Sequence, residues 1–226
     1  TVDLGTESSL PSAGRDDSTG AMALGQAQAP ATVHATLYSR FLRWRVQPGA
    51  RVVTEVRRGE ELVARDDAIA DESGQASLEL VPLDADVPVR EDPNIYVEPG
   101  DELVMRSDAS PTVSAVVPSM AVEIDAEGDV VLGFAPPGAR LVVTLHDAVD
   151  LGFERVDQVV ASPSGQFELQ YAGELDVRPG HHGSAVIETA DSHQFTMLFA
   201  VFEAEVTLGS NRLTGNGTPG TQVRAW

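Results

Sequence analysis

Pro48-Gly49-Ala50-Arg51-Val52-Val53 returns 89 positions later as Pro137-Gly138-Ala139-Arg140-Leu141-Val142. Two more pairs follow in the same order. Ser73-Gly74-Gln75 returns as Ser164-Gly165-Gln166, an offset of 91, and Val97-Glu98-Pro99-Gly100 returns as Val177-Arg178-Pro179-Gly180, an offset of 80. A fixed order of turn signals at a near-constant period marks a repeat, and each copy reads as one supersecondary unit. Between the signals lie short runs dense in β-branched residues, such as Arg51–Val56 (RVVTEV) and Leu141–Leu145 (LVVTL). They are too short for helices and suit a pleated, half-buried surface. No long stretch sustains a 3.6-residue period, so the fold class is all-β.

The shorter last offset means that the first unit carries about ten extra residues between its Ser-Gly and its second Pro-Gly, within 81–95. The expected division is a flexible tail or donor strand over 1–31, a first β-sandwich repeat over 32–118 with its insertion at 81–95, and a second repeat over 119–201. A partial third repeat over 202–226 follows, with Pro219-Gly220 in the place of the first Pro-Gly. The Pro118-Ser119 boundary leaves almost no linker, which predicts a rigid rod. Two readings of the last unit stay open: a longer repeat chain that was cut, or a segment that pairs with another subunit, since two lone strands are barely stable in water.

The pattern P-G-A-x-V-x-V, then D-x-S-G, then x-P-G-D, carried here by Pro48–Val53, Asp71–Gly74 and Pro99–Asp101, resembles tandem bacterial immunoglobulin-like or carboxypeptidase-regulatory-like β-sandwich repeats. The second unit departs from it with Ser162 for the first Asp and His181 for the last. The resemblance covers 33–201 and implies tandem Greek-key sandwiches. It also implies a place in stalks, adhesin segments or filament subunits on secreted and cell-surface proteins. It implies no catalytic residues, because its recurring residues set turns.

Composition narrows the rest. The 226 residues hold 15 Lys+Arg, all of them Arg, against 35 Asp+Glu, a net charge of −20, and no Cys. Thiolate chemistry, Cys-ligated metals and Schiff bases are therefore excluded. So acidic a chain argues against nucleic-acid partners, which need a concentrated basic surface. The longest strongly apolar run, Thr196 to Phe202, is far too short to span a bilayer, and no basic n-region or apolar h-region opens the sequence.

Candidate sites are few. Tyr38, Arg40, Phe41, Arg43, Trp44 and Arg45 form a basic, aromatic stretch suited to docking on a carboxylate-rich neighbour, with Arg and Trp as anchors. It reads equally as a strand with Leu37 and Phe41 facing the core. Phe202, Val206, Leu208 and Trp226 are the corresponding interface residues of the partial repeat. Asp84, Asp86, Glu91 and Asp92 in the insertion offer oxygen ligands of the kind calcium takes, although no EF-hand spacing is present. His181-His182 and His193 read as solvated polar turns. No nucleophile elbow is present and nothing sets a base beside a nucleophile, so no enzyme is expected. These readings predict a non-enzymatic extracellular structural protein whose partner is itself or neighbouring repeats, with an adhesin or carbohydrate-binding module as the alternative.

Overall fold

The computed structural model describes residues 30–82, 96–147, 154–201, 203–206 and 213–216, the last two stretches by their backbone. All regular structure in these residues is β. The first unit contributes β1 (Thr32–Thr36), β2 (Phe41–Arg45), β3 (Arg51–Arg58), β4 (Glu61–Ile69), β5 (Gln75–Glu79), β6 (Val81–Pro82), β7 (Glu102–Ser107) and β8 (Val113–Val116). The second contributes β9 (Ala121–Asp125), β10 (Val130–Phe134), β11 (Arg140–Asp147), β12 (Glu154–Val160), β13 (Gln166–Gln170), β14 (His181–Glu188) and β15 (Gln194–Ala200). A hairpin of β16 (Glu203–Val206) and β17 (Leu213–Asn216) follows.

The repeat seen in the sequence is a repeat of topology. The first unit has strand orders β1-β2-β5 and β4-β3-β7-β8; the second has β9-β10-β13 and β12-β11-β14-β15. Each unit has one sheet from its first, second and fifth strands and another from the rest, an immunoglobulin-like division in which the fourth strand has joined the second sheet. The recurring motifs sit at the turns between these strands. Gly74 and Gly165 both have positive φ, +80° and +85°. A Cβ on Gly74 would lie 2.3 Å from the Val46 carbonyl oxygen, so the position excludes a side chain twice over.

The two units are joined in a way the rod expectation did not contain. Strand β1 of the first unit pairs in parallel with β15 of the second, with His34, Ala35 and Thr36 opposite Gln194, Phe195 and Thr196. A single seven-stranded sheet results, in the order β12-β11-β14-β15-β1-β2-β5. Its inner face carries one row of directly opposed apolar residues that crosses the junction: Leu78, Leu42, Ala35, Phe195, Ile187, Leu141 and Val159. Because opposed residues share a face of the pleat, this row is continuous, and the buried apolar residues of both units form one cluster. Burial of this kind is the dominant favourable term in folding, so the units share stability as well as backbone.

Candidate functional site

The junction is built from residues about 160 positions apart. Leu37 N–H donates to the Thr196 carbonyl at 2.8 Å, and Val33 N–H donates to His193 Nδ1 at 3.3 Å. His34 Nε2 lies 3.1 Å from Thr196 Oγ1. The Trp44 indole meets the His193 ring edge-on, with centroids 6.3 Å apart. Since His193 Nδ1 accepts a hydrogen bond, the junction uses the neutral imidazole. Burial lowers the pKa of His193, against a smaller raising effect of Asp191. Burial and then the Arg43 charge lower that of His34. A base with a lowered folded pKa contributes stability that is full above its ordinary value and is lost as pH falls through the lowered one. Acid is therefore expected to loosen this junction, with the Leu37 amide as its reporter.

Two polar clusters occupy equivalent corners of the units with the carboxylate moved from one position to the other. In the first, Asp101 is buried and holds Arg58 through both carboxylate oxygens, at 2.9 and 3.0 Å, while accepting the Glu98 N–H at 2.8 Å. At the repeat offsets, Arg58 corresponds to Asp147 and Asp101 to His181. There the buried His181 Nδ1 accepts the Arg178 N–H at 3.0 Å, and Asp147 holds the Arg178 side chain at 2.8 Å with His181 Nε2 3.4 Å away. The corner thus needs an acceptor for one turn amide and a polar partner beside that acceptor, and a carboxylate with an arginine or an imidazole with a carboxylate meets the requirement. A third cluster lies on β3, where the buried Glu55 binds Arg106 and Arg57. The Arg106 hydrogen bond first, then that of Arg57, holds its carboxyl below the usual range.

The basic, aromatic stretch divides between faces. Strand β2 buries Leu42 and Trp44 and turns Phe41, Arg43 and Arg45 outward, the reverse of the expected placement of Phe41 in the core. The cause is Tyr38, whose φ of +57° makes a turn after Leu37 and shifts the alternation. Trp44 is fully buried and cannot anchor an outside partner. Tyr38 and Phe41 remain 56% and 54% exposed, and Arg40 lies over the Phe41 ring while pairing with Glu79 at 2.8 Å.

The histidines also differ from expectation. His181 and His193 are buried and hydrogen-bonded, where solvated turns were predicted, because each serves as the acceptor for a turn or strand amide. His182 stacks on His146 across β11 and β14 at 5.5 Å. Among the described residues no three His, Asp or Glu are arranged to hold a metal ion. Asp84, Asp86, Glu91 and Asp92, like Phe202, Leu208 and Trp226, lie outside the described residues; of Val206 only the backbone, in β16, is described. The junction residues His34, Phe195 and Thr196 were not foreseen. Their one sequence signal was that the longest apolar run, from Thr196, suits a strand enclosed by others.

No protein-family model matches the chain, and no curated protein sequence matches it. Among solved structures, similarity extends to a tetra-tandem repeat from the extending region of a large adhesion protein, at 13% identity and TM-score 0.28, covering 80% of this chain and 52% of that one. The BSP domain of a biofilm-associated protein gives 10% identity and TM-score 0.28 over 85% of this chain and 30% of that one. The FN1–FN3 domains of chicken CNTN1 give 13% identity and TM-score 0.23 over 76% and 64%. The chain spans about half the length of the first of these structures and under a third of the second.

Proposed function

We propose that this chain is a non-enzymatic structural protein of the cell exterior, a filament or surface-layer subunit or a segment of a repeat stalk, that associates with copies of itself through strand edges. The observation that carries this reading is the parallel β1–β15 pairing, which makes one sheet of two repeats. Force applied to either unit passes to the other through a ladder of backbone hydrogen bonds and a shared apolar row, which suits a load-bearing element better than loosely tethered modules. The net charge of −20 keeps such a surface hydrated and sets a repulsion that salt screens. The exposed pair Tyr38 and Phe41 favours a second reading, an adhesin or carbohydrate-binding module, since aromatic rings with a free face are binding anchors.

Electron microscopy of the protein at physiological salt separates the two. Regular filaments or lattices with a one-chain repeat are expected. Dispersed single particles at every concentration would contradict the self-assembling reading and turn attention to ligands of Tyr38 and Phe41.

A further inference from the structure

Sheet edges invite added strands, and proteins that do not use them block them. Several edges among the described residues are blocked. On β5 the outward groups of Gln75 are taken by Asp71, through bonds of 3.0 and 2.9 Å, and the Glu79 N–H is taken by the Asp66 carboxylate at 3.2 Å. On β13, Ser162 occupies Gln166 in the same way. Strand β8 has only four residues, with Pro111 and Pro118 each two positions beyond its ends.

Strand β12 differs from all of these. It has seven residues, no proline, and an unbroken register against β11 from Arg140–Val160 to His146–Glu154. Among the described residues it pairs with β11 alone. The first unit shows what such an edge accepts. Strand β4 occupies the same place in its sheet, and β6, from the extra residues of that unit, adds to it antiparallel with Pro82 and Val81 opposite Ala64 and Arg65. At the offset that relates Ser73 to Ser164, those two positions are Arg155 and Val156 of β12. The second unit lacks the insertion, so among the described residues the strand that covers β4 has no counterpart on β12.

We propose that a second copy of this chain supplies that strand, β12 pairing antiparallel with β12 about a two-fold axis at Val156. This rests on the self-association proposed above and names the edge that carries it. The pairing sets Arg155 of each copy opposite Asp157 of the other, two complementary pairs from one short sequence, and Glu154 opposite Gln158. Opposed residues of unlike charge stabilise an antiparallel pair and like charges oppose it. Val156, 53% exposed on the outer face, is set directly opposite its equivalent. The contact is closed by its own symmetry, so filament growth takes a second contact elsewhere.

Sedimentation velocity of the full chain at about 0.15 M salt tests this. Wild type is expected to sediment as a concentration-dependent dimer or larger species. Arg155→Glu and Asp157→Arg should each weaken that dimer at least about tenfold by placing like charges opposite one another, and the double variant should restore it. Because Arg155 also binds Asp157 and Glu174 of its own copy and covers Tyr171, Val156→Lys serves as the deciding variant, with no internal partner to lose, and it too should dissociate the dimer. Association that survives all three single variants overturns the β12 assignment and leaves self-association standing. A wild type that stays monomeric overturns both, and protected β12 amides in that monomer would identify the chain's own residues as the covering strand.

Discussion

Replacing Trp44 with alanine lowers the unfolding free energy by about 3–5 kcal/mol, the range for deleting a large aromatic from a packed core. The indole is 0% exposed, faces Val33 and Ala76 across the neighbouring strands, and touches His193 of the second unit. Its directly opposed neighbours, Val33 and Ala76, are too short to refill the space. Since the ring spans the junction, the loss reaches both units, and urea unfolding followed by far-UV circular dichroism should show one transition shifted as a whole. The buried Nε1 has no hydrogen-bond partner, so Trp44→Phe removes an unsatisfied donor along with some volume and should cost much less. A loss below about 1 kcal/mol for Trp44→Ala would mean that the indole is not packed in a core.

The second large effect is expected at Asp101. Alanine there removes the acceptor of the Glu98 N–H and both bonds to Arg58 in one step. Removing one partner of a buried pair costs about 3–5 kcal/mol, and the lower end applies because the Arg58 side chain keeps 32% of its surface in water. Asparagine retains an acceptor for the turn amide and should recover part of the loss. Equal costs for Ala and Asn in the same denaturation experiment would assign the whole effect to the charge and none to the amide.

The sequence and the structure agree where information is local. The motif glycines Gly49, Gly100, Gly138 and Gly180 were read as turn punctuation, and all have positive φ in the structure. That is chemistry a single residue can announce, since only glycine enters this conformation without cost. The strands between them were legible from β-branched density for the same reason. The face presented by residues 38–45 was not, because its register depends on one left-handed residue, Tyr38, that no composition rule marks. The partners of His193 and His34 were not legible either. Their bonds link positions 160 and 162 apart, and parallel pairing over that distance leaves no periodic trace in either strand. The exchange of Arg58–Asp101 for Asp147–His181 was visible as a departure from the repeat motif. Its meaning needed the fold, which sets the two positions against each other.

That the two repeats are one sheet is tested most directly by residue-resolved hydrogen exchange at the Leu37 amide. Its N–H bonds the Thr196 carbonyl across the junction, so its protection does not come from the first unit's own strands. At neutral pH it should be protected to the same degree as the β2 amides. The protection factor should decline as pH falls below about 6.5, the ordinary histidine value, because the opened junction takes up protons there while burial keeps His193 and His34 of the closed junction neutral. A Leu37 amide that exchanges at the rate of an open chain while β2 stays protected would contradict the shared sheet. It would return the molecule to two sandwiches joined only by their linker.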